Sequence, residues 1–148
     1  MTPMIKTFPE LSCRELYEIL RLRSQVFIVE QQGLYQDLDR IDYHSIHIFL
    51  PDPDGSVSGC VRIFPKPGEP GTVQVGRLVT GPRRQGLGRL LMDTAHQVAR
   101  ERYGAKRLFL DGRRSARAFY EACGYTASLP PDYQTEEEAP YFEFRRSL

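Results

Sequence analysis

The sequence contains no tryptophan, and only three histidines and three cysteines among its 148 residues. Cys13, Cys60 and Cys123 lie far apart with no Cys-x-x-Cys spacing. That argues against a disulfide framework and against a zinc site, and leaves the cysteines as expected small core residues. Nowhere do as many as about 18 apolar residues follow one another, as a membrane-spanning helix needs. The opening Met-Thr-Pro-Met-Ile-Lys has no cationic leader running into an apolar stretch, so a cytoplasmic protein is expected. Charge of one sign is also lacking: 20 basic and 19 acidic side chains leave a formal +1. The chain as a whole therefore presents no field to draw in nucleic acid or an anionic membrane, and electrostatic specificity has to be local. With no internal repeat or low-complexity tract, the length predicts one domain over residues 1–148.

What is present is a clear succession of elements. Ser12-Cys13-Arg14-Glu15 has the form of a capping box, and Leu16, Ile19 and Leu20 follow at helical spacing. The apolar pattern runs on to Gln32-Gly33, which predicts one bent helix or two consecutive helices over 12–32, preceded by a short strand at 5–8. Residues 45–50 and 59–64 are rich in strand formers and flank Pro51-Asp52-Pro53-Asp54-Gly55, the signature of a hairpin. After the Pro- and Gly-rich 65–71, Thr72–Thr80 reads as a third strand. From Leu87 the period turns helical as far as Tyr103-Gly104, with His96 expected on the polar side. Residues 107–110 form a short buried strand expected parallel to 72–80, 115–123 a helix closed by Gly124, and 141–146 a last edge strand. The three glutamates at 136–138 read as a solvated loop.

The chemistry concentrates where the third strand meets the long helix, at Arg83-Arg84-Gln85-Gly86-Leu87-Gly88-Arg89. A glycine turn feeding a helix directs unpaired backbone N–H groups and the positive end of the helix dipole to one point, which binds anions. Gly86 and Gly88 remove Cβ atoms that would hold a phosphate off the backbone, and the arginines add charge. No Gly-Lys-[Ser/Thr] follows, which excludes a Walker loop, and the third glycine and downstream acid of a dinucleotide fingerprint are missing.

Arg83-x-x-Gly86-x-Gly88 resembles the acetyl-CoA signature of the GNAT superfamily. Ala118-Phe119-Tyr120-Glu121-Ala122-Cys123-Gly124-Tyr125 resembles that family's Phe-Tyr-x-x-x-Gly-[Phe/Tyr] element. In the N-terminal third, Leu16-Tyr17, Leu22-Arg23, 26–31, Tyr35, Asp37-Leu38-Asp39, Asp42 and His47 follow one another much as in ElaA-like acetyltransferases, and Arg77 fits as well. The resemblance covers about residues 11–146. It implies an α/β (α+β) fold with a central mixed, mostly antiparallel sheet, a splayed parallel strand pair and about four flanking helices. It also implies acetyl-CoA as co-substrate and no metal, with Leu78 and Val79 along the pantetheine arm. Arg83, Arg84, Gln85, Gly86, Leu87, Gly88 and Arg89 fall at the pyrophosphate, and Tyr120 is the donor to the departing thiolate. Two departures stand out. Arg113 occupies a position where many relatives carry a pantetheine-binding Asn, leaving Arg113, Arg114 or Arg117 to reach the cofactor phosphates. Ala139-Pro140-Tyr141 replaces the usual Pro-His pair.

Acetyl transfer to an amine needs the free base, and an amine of pKa about 10.4 is neutral in roughly one molecule in a few thousand at pH 7. A proton acceptor is therefore expected. Glu30, an acid after Val26-Phe27-Ile28-Val29, is the first choice, with a structural pair to Arg23 or Arg77 as its alternative. His47, on a strand expected to face the acceptor, is the second. Glu30, His47 and Arg77 are the expected acceptor contacts, and the expected partner is a small-molecule or peptide amine. A homodimer is compatible with this reading, whereas a membrane is not expected and nucleic acid is disfavoured. Two other classes stay open. Arg23-x-x-Val26-Phe27 with Asp39 and Asp42 also resembles acyl-homoserine-lactone synthases, whose tryptophan is absent here. The basic run from Arg100 to Arg117 would suit a non-catalytic acyl-CoA- or RNA-binding module.

Overall fold

The computed structural model describes residues 1–81 and 86–148. The capping box forms as expected: the Glu15 N–H donates to the Ser12 hydroxyl at 3.0 Å and the Ser12 N–H to the Glu15 carboxylate at 2.9 Å. These bonds start helix α1 (Cys13–Arg23), which buries Ile19, Leu22 and Arg23. The next turn widens. Ser24–Glu30 is π-helical, closed by the Gln31 N–H on the Val26 carbonyl at 3.0 Å. This widened turn is the second helical stretch read from the sequence, and it leaves Val29 and Glu30 exposed.

The described chain divides into two compact units, with one strand and one helix running through both. The first unit comprises Met1–Phe64 and Arg77–Ala95. In it β1 (Met4–Thr7) pairs antiparallel with β2 (Ile46–Pro51), and β2 with β3 (Val57–Pro65). The hairpin turn closes through Asp52 N–H to Ser56 carbonyl at 2.8 Å and Gly55 N–H to Asp52 carbonyl at 2.9 Å. Both strands are buried on both faces, which is why they read as continuous apolar runs rather than as alternation. Phe49 and its partner Cys60 join Ile19, Leu22, Val57 and Val79 beneath α1. One residue along, Leu50 and Gly59 face Leu91 of the long helix α2 (Leu87–Tyr103).

The second unit comprises Pro65–Gly76 and His96–Leu148. Here β4 (Thr72–Thr80) runs parallel to β5 (Arg107–Arg113), in register from Thr72 with Arg107 to Gln74 with Phe109, and both strands continue beyond those pairs. Helix α3 (Arg117–Ala122) leads to β6 (Thr126–Ser128), and β7 (Tyr141–Ser147) pairs antiparallel with β5 along its whole length. The seven strands are hydrogen-bonded in the order β1-β2-β3-β4-β5-β7-β6. The C-terminal strand is thus interior, not the expected edge. The edge is the three-residue Thr-Ala-Ser of β6, too short to signal itself in sequence. Three α-helices are found among the described residues where about four were expected, because the second is the π-helical continuation of α1.

His96 is not on the polar side of α2. It is buried, with Nε2 2.7 Å from the Tyr125 hydroxyl and Nδ1 2.9 Å from Arg146 Nη1. A guanidinium only donates, so Nδ1 is the acceptor and Nε2–H donates to Tyr125. Cys60 and Cys123 are buried as expected, but Cys13 is exposed in the first turn of α1. Among the described residues no helix is long and apolar enough to cross a membrane.

Candidate active site

In the first unit β4 ends at Thr80, and Gly81 N–H bonds to the Ser58 carbonyl at 2.7 Å. Arg83, Arg84 and Gln85 lie outside the described residues. Gly86 has φ +86°, a conformation that glycine adopts without strain, and its carbonyl accepts the Leu90 N–H at 2.9 Å to launch α2. A Cβ built on Gly86 meets no described atom within 4 Å. The first-turn N–H groups of α2 have no intrahelical acceptor, and the helix dipole adds positive potential there, so this end of α2 fits an anionic group. Leu87 turns inward and is buried, Gly88 is half-buried, and Arg89 is exposed with its Nε 3.1 Å from Asp93. Val79 is 4 % exposed and its side chain belongs to the apolar cluster under α1, which leaves its main chain, not its side chain, for a ligand.

Two residues before Val79, Arg77 has φ +55° in the middle of a strand. A non-glycine residue in that region costs on the order of 1–3 kcal/mol and persists only where its surroundings impose it. Those surroundings are an ion cluster of three arginines and three aspartates, buried at Arg23, Arg62, Asp37 and Asp42 and partly exposed at Arg77 and Asp39. Arg23 lies 2.7 Å from Asp42 and 3.0 Å from Asp37, and Arg62 lies 2.6 Å from Asp39 and 3.0 Å from Asp42. Arg77 lies 2.8 Å from Asp37 and 3.3 Å from Asp39. Burial opposes ionisation of Asp39, but the hydrogen bonds and charge of Arg62 outweigh it and bring its carboxyl to about 2. At Asp42 the bonds and charge of Arg23 likewise overcome burial and hold the carboxyl below its usual range.

The two expected proton acceptors lie in different surroundings, His47 buried and Glu30 exposed. His47 is 2 % exposed, and its Nε2–H donates to the Asp42 carbonyl at 2.9 Å. Burial pushes its pKa down, so it is a neutral prop for the ion cluster. Glu30 is not embedded among the apolar residues that precede it. The π-helical turn carries it to the surface, where it accepts from Gln25 at 3.2 Å, and Arg23 and Arg77 are taken by aspartates. Arg77, expected to meet substrate, points into the cluster. Beside the cluster a cavity of about 710 Å³ is lined by Tyr17, Ile28, Leu34, Tyr35 and Asp37, among others.

In the second unit Tyr120 is half-buried on α3, with its ring 5.1 Å from Phe144 and 6.2 Å from Tyr125 between centroids. It lies on Gly112 of β5, where a Cβ would come within 2.7 Å of its Cε2. Burial, with a smaller push from Cys123, raises the Tyr120 hydroxyl to about 12, so it carries its proton at neutral pH. Adjacent strand residues point to opposite faces. On the other face Asp111 stands directly across from Glu143 of β7. Burial and the like charge of Glu143 push the Asp111 carboxyl up, against the pull of Lys66. No local pattern announces this pair, because only the β5–β7 register brings it together. Arg114 donates to the Glu136 carbonyl and Arg117 reaches Glu121 and Glu136, so both are committed to α3 and the loop beyond it. No cluster suited to a metal ion occurs among the described residues.

Residues 13–125 match the profile of the Acetyltransferase (GNAT) family. The chain belongs to that family. A UPF0039 protein of Schizosaccharomyces pombe is 32 % identical over 146 residues, 97 % of this chain and 95 % of its own length. Protein ElaA of Escherichia coli is 30 % identical over 120 residues, 78 % of each chain. The crystal structure of E. coli ElaA superimposes with a TM-score of 0.86 at 26 % identity, covering 99 % of both chains. That of an acyl-CoA N-acyltransferase from Pseudomonas aeruginosa gives 0.85 at 29 % identity, covering 99 % of this chain and 100 % of the other. The fold is that of the GNAT acyltransferases and the chain is ElaA-like, as its sequence implies.

The ion cluster is also a stability determinant. Asp42→Asn leaves Arg23 and Arg62 sharing too little negative charge in the interior and is expected to cost about 3 kcal/mol in urea unfolding. The Asp39 carboxyl is lower in the folded chain than in the unfolded one, so its contribution is complete above pH about 4. That contribution is lost as pH falls towards about 2. Asp39→Asn should therefore flatten this part of the acid-unfolding curve followed by circular dichroism.

Proposed function

We propose that this chain is an acetyl-CoA-dependent N-acetyltransferase that passes the acetyl group to a primary amine by direct attack. The observation that carries the reading is the start of α2, where a left-handed glycine behind a strand leads into a helix and leaves its first-turn N–H groups unpaired by the helix. Gly86 to Gly88 supply the backbone donors for the pyrophosphate, and Arg83, Arg84 and Arg89 supply positive charge. The amine nitrogen bonds to the thioester carbonyl carbon and the carbon–sulfur bond breaks. The oxygen that gains charge in between is received by a main-chain N–H near Val79.

Tyr120 gives its proton to the departing thiolate, for which a phenol still protonated at neutral pH suffices. For the amine's proton, Asp111 is a further candidate beside Glu30 and His47: its carboxyl is raised, and it leaves β5 on the face opposite that reached by Tyr120. The basic face that suggested RNA binding is partly consumed within the chain by the contacts of Arg114 and Arg117.

Acetyl-CoA at about 100 times its Kd is expected to raise Tm by about 8 °C, and ATP or NAD much less; no shift with acetyl-CoA would overturn the reading. In a thiol-release assay across a panel of amines, Tyr120→Phe is expected to lower kcat about 100-fold with CoA affinity nearly unchanged. An unchanged kcat would return Tyr120 to the aromatic cluster. The base must be ionised to act, so activity falls as pH drops through the raised Asp111 value. Glu143→Gln removes one cause of that rise and is expected to move the acid limb of kcat/KM to lower pH. A limb that stays in place would rule out Asp111 as the base.

A further inference from the structure

The left-handed residue in β4 is an arginine, although glycine would adopt the same backbone without strain and stands next to it as Gly76. The side chain at 77 must therefore return more than the backbone loses. Its contacts are all anchors. Arg77 Nη2 donates to the Asp37 carbonyl at 3.2 Å and to Asp39 Oδ2 at 3.3 Å, and the guanidinium lies 5.5 Å from the Tyr35 ring centroid. Arg77 Nε and Asp37 Oδ1 are 2.8 Å apart, yet neither atom has a properly aligned hydrogen bond, so that part of the contact is a charge held at close range.

The anchors are themselves fixed. Asp37 is bonded to Arg23 at 3.0 Å and Asp39 to Arg62 at 2.6 Å, and those two arginines are 1 % and 3 % exposed. Two residues further along β4, Val79 is pinned by the apolar cluster under α1. The segment from 77 to 79 is thus held by ions at one end and by packing at the other.

We propose that Arg77 is a positioning residue: its ion pairs with Asp37 and Asp39 hold β4 in its left-handed turn and so set the direction of the main-chain N–H near Val79 that meets the acetyl oxygen. This deepens the acetyl-transfer reading and rests on it for the role of that N–H group. Arg77 touches no reacting atom. Loss of its side chain lowers the rate because the strand relaxes, and a residue that keeps the turn without the clamp restores the rate.

The test compares Arg77→Ala, Arg77→Met and Arg77→Gly, each checked for a folded state by circular dichroism, in thiol release with an amine that the wild type accepts. Arg77→Ala and Arg77→Met are expected to lose about 100-fold in kcat, the scale of one misdirected oxyanion donor, with the KM for acetyl-CoA within about threefold. Arg77→Gly, free to keep φ near the native value, is expected to recover at least about tenfold of that loss. Wild-type kcat in Arg77→Met, or a glycine variant no better than alanine, overturns the proposal. The crystal structure of Arg77→Met supplies a readout independent of activity. There φ at 77 is expected to leave the left-handed region, and a φ that stays left-handed overturns the clamp. A wild type that binds acetyl-CoA but releases thiol with no amine defeats the acetyl-transfer reading instead, and φ in Arg77→Met still decides the clamp.

Discussion

Taking three guanidinium groups and three carboxylates towards the interior costs several kcal/mol per ion unless each finds its counter-charge in good geometry. In the first unit each finds a counter-charge, although Arg62 Nε, Arg77 Nε and Asp37 Oδ1 lack an aligned hydrogen bond, and the result ties α1, the segment from Asp37 to Asp42, β3 and β4 together through Arg23, Arg62 and Arg77. Much else in that unit follows from this arrangement. His47 is neutral because burial works against its charge, and it serves to hold the Asp42 carbonyl. The left-handed backbone at Arg77 sits where two aspartates already fixed by other arginines can hold its side chain.

What could be read from the sequence was what is decided within a few residues. The Ser12–Glu15 box, the turn at Asp52–Ser56 and the change from strand to helix between Thr80 and Leu87 each carry their own chemistry, and each forms where expected. The parallel pairing of β4 with β5 was also legible, because a strand, a helix and a strand in succession leave few other topologies. What failed is not written in the local apolar pattern. Glu30 follows four apolar residues, yet it ends a π-helical turn with its side chain exposed. The interior place of β7 depends on β6, whose three small or polar residues resemble a loop.

The second unit shows how register makes chemistry that composition hides. Asp111 and Glu143 are 32 residues apart in the chain, as their numbers show, and each looks like an ordinary surface acid. Antiparallel pairing sets them opposite one another, and the repulsion between them helps to keep a proton on Asp111 to higher pH. The residue after Asp111 is Gly112, and its missing side chain is the space into which the Tyr120 ring fits on the other face. Two consecutive residues of β5 thus set a raised carboxyl on one face and a protonated phenol on the other.

A cluster of ions is a poor way to gain stability, since apolar residues of equal volume often do as well or better. It is a good way to hold a direction. Apolar packing is nearly indifferent to rotation of the backbone that carries it, whereas a guanidinium bonded to two aspartates resists being turned. At Arg77 what has to be resisted is the return of a strained residue to ordinary strand geometry. The same strand shows both devices two residues apart, with packing at Val79, where only depth matters, and ions at Arg77, where the angle matters. That division is what a strand would need if its main chain, rather than its side chains, meets the reacting group.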